Sequence, residues 1–150
     1  MERNIKHEYF FAHPPQAVWE YLTKPELMEK WLMKNDFQPI IGFEFQFRTG
    51  PKASLNFDGI FYCKVLEIVP FKKLSYTWNC GPGDGKIEVK SVVTWKLEPK
   101  DKGTQVLLEH NGFEKEENLD LYHALLHGWL EKFENIAKLI NAPTHDSTEA

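Results

Sequence analysis

The chain has 150 residues, 42% hydrophobic and 27% charged, with 18 Lys+Arg against 22 Asp+Glu for a formal charge of −4. That length predicts one domain, whose core suffices without disulfide staples or a structural metal. The charge gives no general attraction to phosphate backbones, which excludes nucleic acid as an expected partner, and no window approaches the roughly 18 apolar residues of a membrane span.

The charged start, Met1 to His7, lacks the apolar stretch of a signal peptide, so a cytoplasmic location is expected. In that reducing compartment Cys63 and Cys80 stay thiols. The aromatic content, 11 Phe, 5 Trp and 5 Tyr, exceeds what a minimal core needs. Aromatic side chains either fill cores or line apolar pockets.

Ile5 to Phe11 reads as a strand, stopped by Pro14 and Pro15. Val18, Trp19 and Leu22 then predict a short helix from Pro15 to Leu22. Thr23 and Pro25 resemble the start of a second, with Leu27, Met28, Trp31 and Leu32 on one face. From Phe37 the period changes to two. Phe43, Phe45 and Phe47 alternate with polar residues, the pattern of a strand with one dry face. A long strand-like run from Leu55 to Val69 follows, with a bend or bulge expected at Gly59. Leu74, Tyr76 and Trp78 define the next strand. After the glycine-rich loop at 81–85, Val89, Ser91, Val93, Trp95 and Leu97 share a face, and after Gly103 so do Thr104, Val106, Leu108 and His110. Tyr122, Leu126, Trp129, Phe133, Ile136 and Ile140 then recur every three or four residues, a helix of about 20 residues.

The expected architecture is α+β: a curved antiparallel six-stranded sheet wrapped around the C-terminal helix, with two short helices between strands 1 and 2. Residues 1–142 form the one domain and 143–150 a disordered polar tail. A curved sheet gripping one helix leaves room for a cavity of about 300–1,000 Å³ between them.

The run Ala12-His13-Pro14-Pro15-Gln16-Ala17-Val18-Trp19, then Leu22 to Leu27 and Trp31, resembles the opening of the homologues of the activator of the heat-shock-protein-90 ATPase, in the START/Bet v 1-like (SRPBCC) superfamily. Further matches follow in order: Gly42 before Phe43, Phe45 and Phe47; Val65-Leu66-Glu67-Ile68 and Pro70; Leu74, Tyr76 and Trp78; Gly103-Thr104; His110, Gly112 and Phe113; Gly128-Trp129. The resemblance spans roughly Ile5 to Ile140. It implies the helix-grip fold, and a cavity that in relatives holds lipids, sterols, polyketides or plant hormones. It does not imply one activity.

The expected ligand is a small apolar or amphipathic molecule. Phe45, Phe47, Phe61, Tyr76, Trp78 and Trp95 from the sheet are expected to line its site, with Trp31, Trp129 and Phe133 from the helices. Tyr76, Ser91 and His110 would supply the few polar contacts. For each aromatic taken singly, core packing is the simpler role. His110 faces the apolar side, as a ligand contact or as a core histidine bonded to a backbone carbonyl, Ser91 or Tyr76.

No cofactor, metal or catalytic set is expected. His123 and His127 have the i, i+4 spacing of metal ligands without the zincin glutamate, and Cys63 lacks an activating base. Glu44, Glu109 and Asp58 fall on the outward parity; Glu67 shares Val65's parity unless a bulge intervenes. The loop at 81–86 fails the phosphate-loop pattern at Cys80 and Ile87. Two other functions stay open: a chaperone-associated interaction module, and a cyclase or hydratase using His110. The aromatic richness is also compatible with a homodimer.

Overall fold

The computed structural model describes residues 4–55, 57–113 and 119–142. In chain order the elements are β1 (Ile5–Phe11), α1 (Pro15–Thr23), α2 (Pro25–Trp31), β2 (Lys34–Asn35), β3 (Glu44–Arg48), a 3₁₀ turn (Ala53–Leu55), β4 (Ile60–Val69), β5 (Lys73–Thr77), β6 (Val92–Lys100), β7 (Gly103–Asn111) and α3 (Leu119–Ile140). The strands form one sheet in the order β1-β7-β6-β5-β4-β3-β2, with each neighbouring pair antiparallel. This is the expected helix-grip arrangement: a curled antiparallel sheet, a long C-terminal helix, and two short helices after the first strand.

The sheet has seven strands rather than six. The addition is β2, whose two residues pair with Arg48 and Phe47 of β3. A two-residue strand has no alternation to detect. It is held by Asn35, whose Nδ2 donates to the carbonyls of Met33 and Pro25 while its Oδ1 accepts the Phe37 N–H.

Both short helices begin at proline, whose missing N–H costs nothing in a first turn. Thr23 does not cap α2; its hydroxyl donates to the Trp19 carbonyl at 2.8 Å, back into α1. The run from Leu55 is broken before β4 because Gly59 has φ +94° and packs close to the Thr49 carbonyl. The one register shift in the β4–β5 pairing comes later, between Val65 and Glu67. It leaves Leu66 exposed and turns Glu67 outward, 3.1 Å from Lys73 Nζ. Regular pairing of β5 and β6 stops at Thr77 and Val92, but the Trp78 N–H still donates to the Ser91 carbonyl, so Trp78 and Ser91 keep the parity their alternation predicts.

The inward faces of β3 to β7 are buried, and their outward faces carry polar residues together with a few apolar ones such as Leu66 and Val69. Glu109 on the outer side of β7 meets Lys6 and Lys96. Helix α3 buries Leu121, Trp129, Phe133 and Ile136 and packs against β1, α1 and α2. Burial of this kind contributes about 1.5–3 kcal/mol for each large apolar side chain. No helix among the described residues is long and apolar enough to cross a membrane. The acidic approach to α3 at 114–118 and the tail at 143–150 lie outside the described residues.

Candidate functional site: the layer between sheet and helix

The side chains expected to form a site all converge on the layer between the concave sheet face and the helices. Phe45, Phe47, Phe61, Tyr76, Trp78 and Trp95 reach it from β3 to β6, Trp31 from α2, and Trp129 and Phe133 from α3; none is more than 5% exposed. Trp78 sits at the centre, its ring centroid 4.3 Å from Phe61, 5.1 Å from Phe47 and 5.3 Å from Trp129. Trp95 meets Trp31, Trp129 and Phe133 edge-on at 5.6–5.8 Å. Offset and edge-on contacts of this kind are worth about 0.5–1.5 kcal/mol beyond burial.

The three expected polar contacts are bonded to protein groups. Trp129 Nε1–H donates to His110 Nδ1 at 3.0 Å. That leaves the imidazole proton on Nε2, which donates to Ser91 Oγ at 2.8 Å. Ser91 in turn donates to the Trp78 carbonyl at 2.6 Å. Deep burial lowers the His110 pKa from 6.5 to about 3, so the ring is neutral at physiological pH. Of the open alternatives for His110, the bond to Ser91 is the one present. Tyr76 Oη accepts the Trp95 Nε1–H at 2.9 Å, and burial pushes the phenol pKa up.

Trp78 Nε1 is buried with no hydrogen-bond partner among the described residues. Two further members were not read from the sequence. Phe113 lies 4.7 Å from the His110 ring, and Phe37 meets Phe45 edge-on at 5.0 Å. Phe113 follows β7 and Phe37 precedes β3, so neither lies in an alternating run.

Other candidates lie elsewhere. His123 and His127 are exposed on α3, and no cluster of three metal-ligating side chains occurs among the described residues. Cys63 and Cys80 are buried free thiols. Two open grooves of about 520 and 560 Å³ lie on the outer sheet face, lined mainly by residues such as Gln46, Tyr62, Lys64 and Asn79 in the first and Asn4, Lys90 and Asn111 in the second. In the first groove the Tyr62 hydroxyl donates to Asp58 at 2.9 Å.

Residues 12–141 match the family described as "Activator of Hsp90 ATPase homolog 1-like protein". The chain belongs to this family. Among solved structures, this member of the activator-homologue family is similar to protein MLL2253 from Mesorhizobium loti, at 36% identity and a TM-score of 0.81 over 99% of this chain and 100% of that one. It is also similar to BH1534 from Bacillus halodurans, at 23% identity and TM-score 0.71 over 93% and 97% of the two chains. The Aha1 dimer from Colwellia psychrerythraea gives 18% identity and TM-score 0.73 over 92% and 96%. The last two likenesses speak for the fold. None of the curated proteins matches the chain.

Proposed function

We propose that this activator-homologue family member is a cytoplasmic protein that binds a small hydrophobic or amphipathic molecule between the sheet and α3. The observation that supports the reading is the make-up of the inner layer. Polar atoms of Tyr76, Trp78, Ser91 and His110, side chains at most 4% exposed, sit among Phe and Trp rings. Burying polar groups costs free energy, and a merely structural core does better with aliphatic side chains. Superfamily relatives hold lipids, sterols, polyketides or plant hormones in this position. Here the rings touch one another, so a ligand enters by displacing them, gaining roughly 25 cal/mol per Å² of buried apolar surface against the cost of its own immobilisation.

Binding fits His110 better than acid–base catalysis does. Its Nδ1 already accepts an N–H, its Nε2 already donates, and neither nitrogen is free to take a substrate proton. A protein-interaction role has its own observation. The turn holding Ile40 and Ile41, 53% and 64% exposed, is tied to β4 by the Gly42 N–H to Val65 carbonyl bond, beside the exposed Leu66. That reading expects stimulation of a chaperone ATPase, and it leaves room for a homodimer like the one named for the Colwellia protein.

Native mass spectrometry of freshly purified protein tests the ligand reading. The expected result is a discrete extra mass that disappears on denaturation. A bare mass, together with ATPase stimulation, would overturn it in favour of the interaction module.

A further inference from the structure

The inner layer has more hydrogen-bond donors than acceptors. Five of its donors are matched: Trp31 N–H to the Tyr21 carbonyl, Trp95 N–H to Tyr76 Oη, Trp129 N–H to His110, His110 N–H to Ser91, and Ser91 O–H to the Trp78 carbonyl. Two are not. Trp78 Nε1–H has no partner, and the Tyr76 hydroxyl, which receives the Trp95 N–H, has no acceptor for its own hydrogen among the described residues. Tyr76 lies on β5 and Trp78 directly follows its last residue, two residues apart on the same face, with rings roughly parallel and centroids 6.3 Å apart. Each side chain is 1% exposed.

We infer that the ligand is a neutral carbonyl compound with a hydrocarbon-rich body, whose oxygen accepts from Trp78 Nε1 and Tyr76 Oη while its body replaces ring contacts in the layer. This rests on the reading of the layer as a ligand site and names the class of ligand. The surplus is of donors, so a group that must itself donate, such as an amine or ammonium, would leave the mismatch in place. A carboxylate would bring a charge into a layer whose buried side chains include no Lys or Arg to pair with it. A ketone, ester or quinone oxygen accepts twice, carries no charge and needs no counter-ion.

The test uses matched pairs that differ in the carbonyl: benzophenone with diphenylmethane, and 6-undecanone with undecane. Each is titrated into protein labelled with ¹⁵N at its tryptophan indoles. For at least one pair the ketone is expected to bind on the order of tenfold more tightly than its hydrocarbon and to move the Trp78 indole resonance. In Trp78→Phe the preference should shrink toward unity while hydrocarbon binding persists. If that variant does not fold, the wild-type preference and the indole shift decide by themselves. Equal binding of ketone and hydrocarbon would overturn this inference, pointing to a water on the two donors, and would leave the ligand site standing. If no member of either pair binds and the purified protein is bare, the ligand reading itself falls and takes this inference with it.

Discussion

Trp129 Nε1 lies 3.0 Å from His110 Nδ1, and an indole N–H can only donate. This contact from α3 to β7 therefore sets the tautomer of the one buried histidine among the described residues, and through it the direction of the chain to Ser91 and the Trp78 carbonyl.

Stability should fall on mild acidification because of this histidine. His110 titrates at 6.5 when unfolded and near 3 when folded, so between those values the unfolded chain holds one more proton. The contribution is fully present above pH 6.5 and is lost as pH falls toward 3, at up to about 1.4 kcal/mol per pH unit. Urea denaturation at pH 7, 6 and 5 measures the slope. His110→Gln should flatten it; equal slopes in variant and wild type would contradict a neutral buried ring.

Two glycines should respond to alanine in opposite directions. At Gly59, φ is +94° and an added Cβ would stand 2.7 Å from the Thr49 carbonyl oxygen, so Gly59→Ala destabilises by more than about 1 kcal/mol. At Gly128, inside α3, an added Cβ meets nothing within 4 Å. Gly128→Ala should therefore stabilise by about 0.5–1 kcal/mol. Thermal denaturation of the pair checks both signs, and a stabilising Gly59→Ala would mean the turn before β4 is looser than described.

The thiols should be silent in the folded state. Burial raises the Cys63 pKa well above the usual thiol value and pushes Cys80 up to about 12. Iodoacetamide at pH 8 should leave both unmodified in native protein and alkylate both in urea, read by intact mass. Fast native labelling of Cys63 would reveal that the inner layer opens readily without a ligand.

Much of this molecule was legible from alternation. Phe45 and Phe47, Tyr76 and Trp78, and Val106 to His110 all point where their parity says, because a half-buried strand cannot reverse one side chain without reversing its neighbours. The bulge was legible in kind but not in place. Gly59 marks the break before β4, whereas the pairing slips at Leu66, a residue with nothing in its chemistry to signal it. The pair Lys34–Asn35 was too short to carry a period. In the inner layer the parity of His110 and Ser91 could be read, but not that Trp129 would donate to the ring. That depends on how far α3 slides along the sheet, and helical spacing fixes a face without fixing a height. For the same reason, which indole would be left without an acceptor could not be read from the strand that carries it.

The sheet has its first strand paired with its last, β1 on β7, with Glu8 and Gln105 bonded across 97 residues of chain. On the ribosome, β1 is made first and finds its neighbour last. At about 5–20 residues per second, roughly 5–20 s of synthesis separate the two strands. During that interval Ile5 and Phe11, both buried at the end, have no β7 to cover them, and both edges of β1 are bare. The nascent chain thus spends seconds with an open sheet edge and loose apolar residues, a state that favours capture by general folding factors or pairing between neighbouring polysome products.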